Sequence, residues 1–185
     1  QCCGAQYAIA VNSATSALHM ACTAIGLGPG EWLWTSPNTY VASANAAIYC
    51  GAKVDFVDID PDTYNLCVHR LEDKLKSADK NNTLPKIVMP VHFGGQSCEM
   101  EDIRYLGQRY GFKIIEDASH ALGGKYKGHS VGDCSYCDVT VFSFHPVKMI
   151  TTGEGGMALT NDTNLANYMM NFRSHGVTRD VESMS

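Results

Sequence analysis

The chain contains the stretch Ser143-Phe144-His145-Pro146-Val147-Lys148, followed closely by the glycine-rich segment Thr151-Thr152-Gly153-Glu154-Gly155-Gly156. The apolar run before it, residues 139–144, predicts a buried strand that delivers a serine and then a lysine onto a glycine-rich turn. A lysine attacks a carbonyl when a shielded pocket lowers its pKa, and such lysines usually serve a cofactor such as pyridoxal phosphate. The alternative is an ordinary surface lysine in a loop.

The composition indicates a globular protein that handles small molecules. The chain has 185 residues, of which 45% are hydrophobic and 18% charged, enough to bury a sizeable core. A net charge of −5, without any lysine and arginine run, disfavours nucleic acid and anionic membranes as partners. Because no segment has the length of an apolar membrane span and the start lacks a secretory pattern, we expect a cytoplasmic location.

The 8 cysteines are spread through apolar segments, for example at Cys22, Cys50 and Cys67, which favours reduced thiols packed in the core. Cys134 and Cys137 form a single CxxC pair. A structural zinc site needs a second pair or suitably spaced histidines, and a redox pair needs a helix start directly after a strand. We therefore expect no metal here.

Residues 7–11 predict a buried strand that runs into the polar turn Asn12-Ser13-Ala14-Thr15-Ser16 and then into a helix. Free N–H groups at a helix start bind anions, so this turn is a candidate phosphate site. The alternative is plain capping of the helix by its serine and threonine side chains.

Polar side chains also follow two further predicted strands. Tyr40 comes after residues 32–35 and is placed to stack on a flat ring. Asp117 and His120 come after residues 112–115. Because an unpaired carboxylate near the core is costly, Asp117 needs a partner, either a capped helix end or a protonated nitrogen of a ligand.

Strands and helices alternate along the chain, which predicts the α/β class, a three-layer αβα domain with a mostly parallel seven-stranded sheet. The predicted strands are residues 7–11, 32–35, 54–57, 87–91, 112–115, 138–144 and 156–160. The predicted helices include residues 17–25, 41–50, 71–75, 100–110 and 165–173.

Four segments of the chain, taken in order, resemble the DegT/StrS-like sugar-nucleotide aminotransferases, which are fold-type I pyridoxal-phosphate enzymes. These segments are residues 12–19, 116–123, 142–148 and 173–180. The resemblance implies that residues 1–185 are the pyridoxal-phosphate-binding large domain. The first residues look like the tail of a helix, so we expect a fragment without the family's N-terminal segment and small C-terminal domain.

The resemblance implies catalytic roles for three residues. Lys148 is the lysine that forms a Schiff base with pyridoxal 5'-phosphate and then moves the proton. Asp117 pairs with the protonated pyridine nitrogen, and His120 hydrogen-bonds near the ring 3-hydroxyl, although many relatives carry glutamine there. The related 3-dehydratases have histidine in place of the lysine, so Lys148 favours transamination.

Binding roles for the cofactor follow from the same resemblance. Ala14, Thr15 and Ser143 would hold its phosphate, and Tyr40 would stack on its ring. Glu154 and the glycines after it would shape the site near Lys148.

The most similar subgroup comprises the transaminases of pseudaminic acid biosynthesis. It implies a UDP-linked 4-keto-6-deoxy sugar as substrate, its 4-amino sugar as product, glutamate as amino donor and a homodimer. A related 4-keto sugar-nucleotide aminotransferase of another surface-polysaccharide or lipid A pathway remains an alternative.

Two other classes of function are further alternatives. The chain could be a cofactor-domain fragment without catalysis of its own, since family sites draw on further segments and on a second subunit. A nucleotide-binding oxidoreductase needs a glycine-rich turn after the first strand, and residues 12–16 contain no glycine.

Overall fold

The structure is a computed structural model that describes residues 2–177. Thr178, Arg179 and Asp180, at the end of the fourth family-like segment, lie outside the described residues. The strands of the described part are β1 (Tyr7–Val11), β2 (Trp32–Thr35), β3 (Lys53–Phe56), β4 (Ile87–Met89), β5 (Lys113–Asp117), β6 (Lys125–Tyr126), β7 (His129–Ser130), β8 (Val139–Ser143) and β9 (Gly156–Thr160). Its helices are α1 (Ala14–Ala24), α2 (Val41–Tyr49), α3 (Val68–Asn81), α4 (Met100–Tyr110) and α5 (Thr163–Arg173).

Seven strands form one sheet in the order β1-β9-β8-β5-β4-β2-β3, and β6 and β7 form a separate hairpin. Strands β8, β5, β4, β2 and β3 pair in parallel, whereas β9 is antiparallel to both of its neighbours. The loop between β8 and β9 contains no helix, and a strand that returns without a crossover helix pairs antiparallel. The predicted seven-stranded, mostly parallel sheet is confirmed, with β9 as its reversed member.

Hydrophobic side chains cover the sheet on both faces. Helices α1, α2 and α5 contribute to one core cluster, and α3 and α4 contribute to the other. Successive side chains of β5 point to opposite faces, so Ile115 joins the first cluster and Ile114 the second. This arrangement is the predicted three-layer αβα domain.

Several boundaries differ from the prediction, most of all that of α3, which covers Val68–Asn81 rather than residues 71–75, and that of α1, which begins at Ala14 rather than at residue 17. Strand β3 begins and ends one residue early, and β4 ends at Met89 because Pro90 has no N–H to donate to a ladder. The chain pairs once more at Val91, which forms a bridge with Asp117. Strand β5 also pairs with β8 as far as Asp117, so this carboxylate lies on the sheet itself.

The CxxC pair lies in the core between the sheet and the hairpin. Cys134 and Cys137 are buried free thiols, and both sulfurs lie within 3.5 Å of Oγ1 of Thr140. A hydrogen bond with Cys134, together with burial, raises the pKa of the Cys137 thiol well above its ordinary value. Residues 2–177 contain no group of three or more metal-ligating side chains that could hold an ion. Within the same range, no helix has the length and apolar character needed to cross a bilayer.

Candidate functional site

The residues predicted for the site meet at one edge of the sheet. Because β1 and β8 both flank the reversed strand β9, their last residues, Val11 and Ser143, each pair with Gly156 at the start of β9. A cavity of about 410 Å³ opens at this edge. It is lined by every residue predicted to bind the cofactor or to act in catalysis: Ala14, Thr15, Tyr40, Asp117, His120, Ser143 and Lys148. Glu154 lines it as well.

The start of α1 forms one wall of the cavity. Ser13 caps this helix, and its Oγ accepts the N–H of Ser16 at 3.2 Å. The backbone N–H groups of Ala14 and Thr15 precede the first intrahelical hydrogen bond, so they remain available to a ligand. Such N–H groups, at the positive end of a helix dipole, form an anion site.

Asp117 lines the cavity and is only 4% exposed. It shares a face of β5 with Ile115, so its side chain points to the layer of α1 and α2. Its Oδ2 accepts the hydroxyl of Ser43 at 2.8 Å, and its Oδ1 accepts the N–H and hydroxyl of Ser119 at 3.2 and 2.6 Å. All three donors are neutral, and Asp117 forms no ion pair within residues 2–177.

Lys148 lies in the turn after β8, where its N–H donates to the carbonyl of His145 at 2.9 Å. Burial lowers the pKa of the Lys148 ammonium, and the negative charge of Asp117 partly opposes this shift. Burial also lowers the pKa of His120, and the positive charge of Lys148 lowers it further. The cavity therefore favours a neutral imidazole and makes the lysine easier to deprotonate than one in water.

The remaining predicted residues stand around the cavity at different depths. Ser143 is buried and faces the same side of β8 as Val141, and its Oγ accepts the N–H of His145 at 3.4 Å. Tyr40 caps α2 and is 76% exposed, so its ring stands free at the rim. Glu154 is also at the rim, with its Oε1 3.8 Å from Nε2 of His145.

The hydroxyl donors to Asp117 were not predicted from the sequence. Ser119 was missed although it stands two residues after the aspartate. At this spacing an aspartate side chain commonly accepts the backbone N–H of the later residue. Ser43 lies within an alanine-rich segment and was assigned only to a helix. The sequence feature that could have identified Ser43 is its polar side chain, which lies on the buried face of α2 with Ala42, Ala46 and Ala47.

A second cavity, of about 460 Å³, lies between the loop before α3 and the first turns of α4. Its lining includes Asp60, His69, Glu99 and Asp102 and shares no residue with the first cavity. None of the residues predicted for function lies there.

An α/β sheet that gathers a buried carboxylate, a partly buried lysine and an open helix start in one cavity is typical of cofactor-dependent enzymes. Comparison with known proteins gives the family. Residues 1–184 match the DegT/DnrJ/EryC1/StrS aminotransferase family, and the chain belongs to it. The aminotransferases of this family depend on pyridoxal phosphate.

Two curated relatives cover nearly the whole chain. The UDP-4-amino-4,6-dideoxy-N-acetyl-beta-L-altrosamine transaminase of Campylobacter jejuni is 46% identical over 176 residues, 95% of this chain and 45% of the relative. The GDP-perosamine synthase of Caulobacter vibrioides is 44% identical over 178 residues, also 95% of this chain and 45% of the relative. The chain thus spans less than half the length of these relatives.

The fold is also that of a solved relative. The Helicobacter pylori aminotransferase PseC, which is involved in the biosynthesis of pseudoaminic acid, superimposes with a TM-score of 0.88 at 33% identity. The match covers 97% of this chain and 47% of that protein.

Proposed function

We propose that residues 1–185 are the pyridoxal-phosphate-binding domain of an aminotransferase that acts on a sugar nucleotide. The observation that carries this proposal is the meeting of Lys148, Asp117 and the start of α1 in one cavity. These parts fit the cofactor because Asp117 is a buried carboxylate that receives only neutral donors within residues 2–177, and a pyridinium N–H supplies the missing charge.

Each part of the cavity has a distinct task. Lys148 would hold the cofactor through its side-chain amine, and when that amine is free it would accept and return the proton that the reaction moves. Asp117 would hold the positive charge at the ring nitrogen. The N–H groups of Ala14 and Thr15, with the hydroxyl of Ser143, would bind the phosphate, and Tyr40 would cover the ring.

His120 completes the set with a neutral side chain. Because its lowered pKa keeps the imidazole uncharged, it can hydrogen-bond near the ring 3-hydroxyl without adding a second positive charge beside Lys148. When bound, pyridoxal phosphate supplies the electron sink for transamination.

For the substrate we propose a UDP-linked 4-keto-6-deoxy sugar of the pseudaminic acid pathway, with glutamate as donor and with the 4-amino sugar as product. Two Campylobacter jejuni relatives named for this transamination, 46% and 43% identical, support it. The GDP-perosamine synthase and a Shewanella sediminis UDP-4-amino-4-deoxy-L-arabinose aminotransferase, 38% identical, define the competing 4-keto sugars. The sequence-based prediction of a cytoplasmic location agrees with this role.

We also propose that the enzyme is a homodimer. Around the cavity rim, Val147, Met149 and Ile150 are 78%, 60% and 58% exposed, which is unusual for apolar side chains so close together in a monomer. A second copy on this rim would cover them and close the site.

The first test is an absorbance spectrum of the purified chain with pyridoxal phosphate, followed by borohydride reduction and peptide mapping. We expect an adduct on Lys148 that is lost in Lys148→Ala and kept in Lys127→Ala, a control lysine paired with Glu101 at the surface. An adduct that persists in Lys148→Ala would refute the assignment.

The same samples address the alternative of a non-catalytic cofactor domain. Turnover of the 4-keto sugar nucleotide with glutamate should appear in the full-length gene product. If the chain forms the adduct but only the longer product turns over, residues 1–185 bind the cofactor without catalysing the reaction alone.

A further inference from the structure

We propose that Ser43 is a positioning residue that, with Thr39, holds the Asp117 carboxylate oriented toward the cavity. The proposal rests on the proposed function, since it concerns the group that Asp117 receives. Ser43 is fully buried in the first turn of α2, and its hydroxyl donates to Oδ2 of Asp117 at 2.8 Å.

The directions of the hydrogen bonds follow from the number of protons available. Ser43 has one hydroxyl proton, and a carboxylate can only accept, so that proton goes to Asp117. The 2.7 Å contact between Oγ1 of Thr39 and Oγ of Ser43 then takes the Thr39 proton in preference to the carbonyl of Tyr40, which lies 3.3 Å from the same Oγ1. Donation from Thr39 polarises the Ser43 hydroxyl and strengthens its bond to the carboxylate.

The Asp117 carboxylate has about four acceptor positions, and its donors leave one of them open. Ser119 supplies two donors to Oδ1, and Ser43 supplies one to Oδ2. The remaining position on Oδ2 is therefore available to an N–H from the cavity. Because Ser43 and Ser119 are neutral, they stabilise the anion without cancelling the charge that a cationic ring would meet.

Packing alone does not account for a serine at position 43. Its buried neighbours on α2 are Ala42, Ala46 and Ala47, and alanine would fill the same space without a hydroxyl to satisfy. The contact also joins two elements that are 74 residues apart in the chain. The serine at position 43 is therefore better explained by its hydrogen bond to Asp117 than by packing.

The experiment compares two cofactors in the full-length gene product: pyridoxal phosphate and its 1-deaza analogue, in which a CH group replaces the ring nitrogen. If the Ser43 hydroxyl acts through Asp117 and the ring nitrogen, its removal should weaken the binding of pyridoxal phosphate but not that of the analogue. For Ser43→Ala we expect about tenfold weaker binding of pyridoxal phosphate, the size of one hydrogen bond to a charged group, and less than about twofold weaker binding of the analogue. Affinities come from fluorescence titration, which does not depend on turnover.

Two further variants complete the design. Ser36→Ala removes a buried hydroxyl that donates to the carbonyl of Asn38 rather than to Asp117, and should leave both affinities unchanged. Thr39→Val keeps the side-chain shape and leaves Ser43 in place, so it tests the relay if Ser43→Ala does not fold. We expect for it a smaller loss in the same direction.

Three results would overturn the proposal. Equal weakening of both cofactors by Ser43→Ala, and by Thr39→Val, would mean that the hydroxyls only support the structure. Unchanged affinity for pyridoxal phosphate in both variants would remove Ser43 from the site while leaving the proposed function intact. Failure of the unmodified protein to bind pyridoxal phosphate would overturn both proposals.

Discussion

Among the individual residues of the cavity, Asp117 is the one on which the proposed chemistry depends most. This carboxylate is buried and receives three neutral hydrogen bonds within the described part of the chain. Neutral donors stabilise an anion but do not neutralise it. The cavity therefore holds a carboxylate that no cation of residues 2–177 pairs with.

We expect Asp117→Asn to weaken pyridoxal-phosphate binding at least about tenfold and to slow turnover much more, because the ring nitrogen loses its counter-charge. Fluorescence titration and steady-state kinetics of the full-length product measure the two effects. Asp55→Asn, at an exposed aspartate paired with Lys74, is the matched control. Affinity equal to that of the unmodified protein would contradict the pairing.

The reactivity of Lys148 should depend on pH differently from that of other lysines. Burial lowers its pKa, so a larger fraction of its amine is neutral at any pH below the ordinary value of 10.5. Labelling of the cofactor-free protein with an amine reagent, followed by mass spectrometry, should therefore give half-maximal reaction of Lys148 below that pH. Lys127, whose pKa is raised by its hydrogen bond to Glu101, should react with a higher midpoint.

The charge of Asp117 gives this experiment a second arm. Because that charge raises the pKa of Lys148 against the effect of burial, Asp117→Asn should move the Lys148 midpoint to still lower pH. A midpoint at or above that of Lys127 in the unmodified protein would exclude a desolvated lysine.

The junction between β9 and α1 is a close contact at the corner of the cavity that is proposed to bind phosphate. Gly156 begins β9 directly against the backbone at the start of α1, and a Cβ at this position would overlap atoms of Ser13 and Ala14. Backbone atoms cannot move aside as a flexible side chain can. The absence of a side chain at Gly156 therefore allows α1 to present its N–H groups beside Ser143.

We expect Gly156→Ala to lower the free energy of unfolding by about 3 kcal/mol, at the upper end of overpacking effects, and to weaken cofactor binding by displacing α1. Urea denaturation measures the first effect and titration the second. Gly28→Ala is the control, because the backbone of Gly28 is not left-handed and an added Cβ would meet no atom within 4 Å. Equal stability of the two variants would show that the corner is not tightly packed.

For the whole molecule, the exposed apolar side chains at the cavity rim, Val147, Met149 and Ile150, are the basis of the proposed dimer. Ile150→Asp should shift the full-length product from dimer toward monomer in analytical ultracentrifugation, because it places a charge in the proposed interface. Tyr105→Asp, at an exposed aromatic on α4 across the sheet, should leave the dimer intact. A monomer before any substitution would rule out the proposed dimer.

Much of the site could be predicted from local patterns. Asp117 and Ser143 each end an apolar strand, and the carboxyl ends of parallel strands meet at one edge, so the sequence predicts that both residues reach the same edge of the sheet. The alternation of side chains in strands also predicts that Asp117 shares the face of Ile115. The boundary at Met89 was missed although Pro90 signals it.

The alternation of strands and helices and the polar turn 12–16 ahead of α1 can be recognised from the sequence, because these depend on periodicity and on residues close in the chain. Contacts between distant segments cannot be recognised in this way: Ser43 reaches Asp117, β9 runs against its neighbours, and Gly156 contacts α1. These features depend on which elements become neighbours in space. Packing of the whole core selects those neighbours, and no short stretch of sequence encodes them.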